Sequence, residues 1–95
     1  MVALKELPDL LEEKAERVFR SRFPGCRPAL GRTPSGRILT GLLGWDGFRE
    51  LSEGESVDLL EDVIREHFTE SERNEMAAIL PIPMSALEAA MEPLD

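Results

Sequence analysis

The 95-residue chain predicts a single α+β domain in which a small three-stranded sheet, a hairpin plus a short third strand, packs against helices on one side in the order αββααβα. Three observations carry this. The opening segment places apolar residues at helical spacing, the middle encloses a short apolar run between glycines and prolines, and the acidic second half repeats a Ser/Thr-x-x-Glu pattern. One domain over residues 1–95 is expected, since this length supports one core but not two. A mostly helical domain is the competing reading, because residues 77–80 could continue a helix.

The first helix is expected over residues 7–23. Leu7, Leu10, Leu11, Ala15, Val18, Phe19 and Phe23 form one stripe, and Glu12, Glu13, Glu16, Arg17 and Arg20 fill the other face. Pro8 suits a first turn, Asp9 suits the positive end of the helix dipole, and Pro24-Gly25 stops the helix. A strand over residues 27–32 and a turn at Thr33-Pro34-Ser35-Gly36 follow, with a second strand over residues 37–43 completing a hairpin. Gly41 inside that strand suggests a bulge or a close backbone approach.

Ser52 with Glu55 forms a capping-box pattern and opens a helix to about Phe68, with Val57, Leu60, Val63, Ile64, His67 and Phe68 on one stripe. Thr69 with Glu72 repeats the pattern, predicting a new helix that carries Met76, Ile79 and Leu80 inward. Pro81 and Pro83 end that helix, with a short extended piece near residues 78–82. Ser85 with Glu88 predicts a third cap and a short final helix through Leu87, Ala90 and Met91.

Charge divides at Glu50. Residues 1–49 hold nine Lys/Arg and six Asp/Glu, net +3, while residues 50–95 hold two and thirteen, net −11, for a total of −8. An acidic total opposes general nucleic-acid binding, because phosphate contacts supply most of that affinity. A lone Cys26 cannot form an internal disulfide, and no secretory leader pattern opens the chain, so a cytoplasmic setting is expected. No apolar run approaches the roughly 18 residues of a membrane span, so a soluble protein without a membrane partner is expected.

No nucleophile–base pair, metal-ligand cluster or phosphate loop is recognisable, and an enzyme is not expected. Cys26 and His67 are the weak candidates for metal, neither with a second ligand nearby in sequence, and Arg27 beside Cys26 could lower its pKa. Arg27, Arg32 and Arg37 form a candidate hairpin contact for an anion or an acidic partner, with turn amides between the last two. Gly41-Leu42-Leu43-Gly44 matches the GxxG pattern of nucleic-acid-clamping KH loops, but it is apolar and falls in a strand. Glu53, Glu55, Asp58, Glu61, Asp62 and Glu66 crowd the exposed side of the second helix as a candidate partner-binding face.

The sequence of features at residues 38–43, Trp45-Asp46-Gly47-Phe48-Arg49-Glu50-Leu51, residues 56–68 and Pro83-Met84-Ser85-Ala86-Leu87-Glu88 resembles the BolA-like family. The resemblance implies an α+β fold akin to the class II KH domain. It also implies a monothiol glutaredoxin partner sharing a [2Fe–2S] cluster, or a link to transcriptional regulation. Ser56-Val57-Asp58 stands where that family has Arg-His-Arg, and about Asn74 stands where it has its cluster-binding histidine. The expected function is therefore a non-enzymatic BolA-like binding or regulatory module that uses its acidic helical face on a protein partner. An iron–sulfur accessory role with Cys26 and His67, and nucleic-acid binding through the arginine-bearing hairpin, are the alternatives.

Overall fold

A computed structural model describes residues 9–91. It contains α1 (Leu10–Arg22), β1 (Arg27–Arg32), β2 (Leu39–Gly44), a 3-10 turn (Asp46–Glu50), α2 (Glu53–His67), α3 (Glu70–Arg73), β3 (Met76–Ile82) and α4 (Met84–Met91). The α+β class and the order αββααβα are as the sequence predicts. The mostly helical alternative fails at β3, where residues 77–80 are strand.

The described part of α1 begins at Leu10, with Asp9 as N-cap accepting the Glu12 N–H at 3.1 Å. The predicted start at Leu7 and Pro8 lies outside the described residues. Both predicted capping boxes that open α2 and α3 form. The Ser52 and Thr69 hydroxyls accept the Glu55 and Glu72 N–H groups, and each glutamate accepts the cap N–H at 2.8 Å. A box of this kind satisfies two otherwise unpaired amides at a helix start.

β2 is the central strand, antiparallel to β1 and parallel to β3. It starts at Leu39 rather than Arg37, because the Arg37 and Ile38 N–H groups are taken by the Ser35 and Thr33 side chains of the turn. Successive β2 side chains alternate between faces. Leu39 and Leu43 join Ala15 and Phe19 of α1, its C-cap Phe23, Leu60 and Val63 of α2, Phe48 and Phe68 in one buried core. Fully burying each such side chain contributes about 1.5–3 kcal/mol. Gly41 lies between the two leucines on that face with φ +144, and a methyl there would overlap the Ala29 carbonyl. The predicted close backbone approach is real.

Three expectations are corrected. First, α3 is a single turn that ends at Arg73, and Met76, Ile79 and Leu80 belong to β3. Met76 pairs with Leu39 and Ile79 with Gly41, so β3 carries one extra residue across this interval. That bulge lets two residues three apart face the same core, while Leu80 remains 52% exposed. Second, the helices are not confined to one side of the sheet. Gly44 points away from Leu43, and a Cβ on it would lie 2.9 Å from that of Leu87, so α4 covers the opposite face at that end. Third, α4 begins before Ser85, and the Pro83 carbonyl accepts the Ala86 and Leu87 N–H groups, leaving Ser85 inside the first turn.

Trp45 caps the C-terminal end of α1. Its ring centroid lies 5.0 Å from that of Phe23 and 5.2 Å from that of Phe48, both edge-on, and its indole N–H donates to the Pro24 carbonyl at 2.9 Å. This pairs the polar end of a largely apolar ring with a backbone acceptor.

Candidate functional site

Lys14, Arg22 and Arg32 of the basic first half hold elements together, while Arg17, Arg20, Arg27, Arg37 and Arg49 are exposed without an ion-pair partner among the described residues. Arg32 is a half-buried fork: Nε and Nη2 donate to the two Asp9 carboxylate oxygens at 2.6 and 3.0 Å, and Nη1 reaches the Arg37 carbonyl and Glu75. This one side chain ties the N-terminus of α1 to the hairpin and to the approach to β3. The Arg32 guanidinium holds the Asp9 carboxyl below its ordinary range, with the Glu12 N–H helping and burial opposing. Lys14 bridges to Glu72 at 2.8 Å with its ammonium 5.0 Å from the Phe68 ring centroid, joining α1 to α3. Arg22 bridges to Glu66 at 2.8 Å and joins α1 to α2.

The structure does not bring the three hairpin arginines together. Arg27 and Arg32 lie at opposite ends of β1 and, five positions apart in a strand, on opposite faces, with only Arg32 engaged by Asp9. Arg37 is exposed. The turn amides are also used locally, since the Gly36 N–H donates to the Thr33 carbonyl at 2.7 Å and those of Arg37 and Ile38 donate to Ser35 and Thr33. No cradle of free donors converges between the arginines.

Cys26 is buried, and burial pushes its thiol above the ordinary range with only partial relief from Arg20. The lowering expected from Arg27 does not occur. Since the thiolate is the metal ligand and the nucleophile, this environment works against both roles. His67 closes α2 at the surface, where its Nε2 lies 2.9 Å from Arg22 Nη1 and accepts that bond in the neutral ring. Among the described residues no group of three or more His, Cys, Asp or Glu is placed to hold a metal ion.

The acidic face of α2 differs in kind. Glu53, Glu55, Asp58, Glu61, Asp62 and Glu66 are all exposed. Glu55 serves the capping box, Asp62 pairs with Arg65 at 3.0 Å and Glu66 with Arg22. Among the described residues, Glu53, Asp58 and Glu61 have no ion-pair partner. Ser56 and Leu60 on the same helix are buried, so the helix is anchored by one side while the carboxylates stand in solvent.

One feature escapes sequence reasoning altogether. A cleft of about 420 Å³ opens between α2 and β3, with Val57, Leu60, Ile64, Met76 and Ile79 among its walls and Glu61 on its rim. Ala77 and Ala78, both exposed, add small side chains to its β3 wall.

The arrangement defines a small α+β protein with a mixed three-stranded sheet and one strongly acidic helix. Comparison with models of known families, with curated proteins and with solved structures gives no match to this chain. No helix among the described residues is long and apolar enough to cross a membrane.

Proposed function

We propose that this chain is a non-enzymatic binding module whose acidic α2 face engages a basic surface on a protein partner. The observation that carries this reading is the contrast in use of charge. Lys14, Arg22 and Arg32 are committed to intramolecular bridges at Glu72, Glu66 and Asp9, while Glu53, Asp58 and Glu61 stand together on one helix, exposed and unbridged among the described residues. Carboxylates in solvent contribute little to stability but steer and orient a basic partner. Acid–base catalysis would need buried carboxylates with separated pKa values, and these are open to water.

A BolA-like, class II KH-like relation is the family reading that fits best. It is supported by the run from β2 through the Trp45–Phe48 segment into α2, by the parallel β3 and by the closing α4. Asp58 and its neighbours on the exposed face make a protein surface, rather than DNA, the expected partner. Affinity capture with the wild-type chain and with the Asp58→Lys/Asp62→Lys variant tests the proposal. A partner held at low salt is expected to be lost by the variant, and a partner held equally by both would overturn the reading.

A further inference from the structure

We infer that the cleft between α2 and β3 is a docking groove for a short amphipathic helix of a partner protein, one whose apolar stripe is flanked by Lys or Arg. The inference rests on the acidic-face reading and adds to it a floor, a rim and a backbone form for the occupant.

The floor is apolar. Val57, Ile64, Met76 and Ile79 are each partly exposed at the cleft, and Leu60 closes its base. A trough between a helix and a strand with such walls takes side chains spaced one helical turn apart, as helix-in-groove recognition requires.

The rim supplies the charge. On α2, Val57, Glu61 and Arg65 form one i, i+4 row along the cleft, and Asp58 and Asp62 lie next around the helix. Arg65 is paired with Asp62, and Arg73 of α3 is held at one end of the cleft by donating to the Phe68 carbonyl at 2.6 Å, where it keeps its charge. Glu61 and Asp58 are left to face an incoming chain, and they select cationic flanks and repel acidic ones.

The edge of the sheet decides the backbone form. β3 is an edge strand beside the cleft, where an extended peptide could in principle add as a further strand. The Trp45 N–H donates to the Ile82 carbonyl, so Ile82 faces β2 and its neighbour Pro81 presents its backbone outward, with no N–H to give. The bulge and Ala78, at φ +56, interrupt the same edge further back. Such an edge disfavours a pairing strand. A helix, which satisfies its own amides, meets no such obstacle.

The probe is a synthetic helical peptide with a leucine stripe flanked by lysines, with a second peptide bearing glutamates at those flanks, each titrated into the 15N-labelled full chain. Expected are amide shifts confined to α2 and β3 with the lysine peptide, little response to the glutamate peptide, and helicity in the bound lysine peptide. Glu61→Lys should weaken the lysine peptide about threefold to fivefold at low salt. Ala77→Trp, which fills the cleft from an exposed position, should abolish binding while the circular dichroism stays that of the wild type. The inference is overturned by equal binding of both peptides, by shifts outside the cleft, by an extended bound peptide or by indifference to Ala77→Trp. It is also overturned by concentration-dependent shifts at the same amides without peptide, which would assign the groove to a second copy. If the cleft fails these tests while Asp58→Lys/Asp62→Lys still abolishes partner capture, the acidic-face reading stands and only the groove falls.

Discussion

The Asp9–Arg32 corner of the molecule and the outer face of α2 are both charged surface in the sequence, yet the fold uses them in opposite ways. Arg32 is half-buried and grips Asp9 with two nitrogens, while Asp58 and Glu61 touch no cation among the described residues. The difference shows why net charge by segment does not locate a binding surface. A charge bridged across elements has lost its freedom to meet a partner, and a charge left in solvent has kept it.

The contrast can be broken most severely inside the hairpin itself. Gly41→Ala is expected to destabilise the fold by about 3 kcal/mol or more, since the added methyl must displace the Ala29 backbone at a positive φ. Chemical denaturation measures this, and a loss below about 1 kcal/mol would show that β1 and β2 can separate there without penalty.

Arg32→Ala comes next, with an expected loss of about 1–3 kcal/mol near neutral pH because it releases a partly buried carboxylate and three elements together. Its pH dependence sharpens the contrast. The Asp9 carboxyl titrates lower in the folded protein than in the unfolded chain, so its contribution is complete above the unfolded pKa of about 3.9 and is lost as pH falls through the folded value. The stability gap between wild type and Arg32→Ala should therefore narrow below about pH 4. A gap that stays constant across that range would remove Asp9 from the account.

Ser52→Ala should cost about 1 kcal/mol by undoing the capping box that starts α2. The smallest effect is expected for Asp58→Lys, within about 0.5 kcal/mol of wild type in thermal or chemical unfolding, because no partner inside the molecule is lost. A large loss from Asp58→Lys would place that carboxylate among the structural charges and erase the distinction.

Much of this fold was legible in the sequence because its signals are local. The bounds of β1, the turn at residues 33–36 and the boxes at Ser52 and Thr69 follow from residue types a few positions apart. What was misread depends on partners distant in sequence. Met76, Ile79 and Leu80 have the i, i+3, i+4 spacing of a helix, but the β3 bulge gives Met76 and Ile79 a common face in a strand. Leu87 looks like part of the same core until Gly44 places it on the opposite side of the sheet. At the candidate site, the carboxylates of α2 were legible as an exposed face from their position opposite its apolar stripe. That Arg32 would be held by Asp9 and that a cleft would open beside Glu61 were not, since both arise from contacts between elements.

The central claim is that the unbridged carboxylates of α2 serve a partner rather than the fold. The most direct test measures stability and partner affinity together for wild type and Asp58→Lys/Glu61→Lys at low and high salt. The expected result is an unfolding midpoint close to wild type, with affinity for the captured partner lost at low salt and a wild-type affinity that itself falls as salt rises. Unchanged affinity at low salt, or a variant that fails to fold, would contradict it.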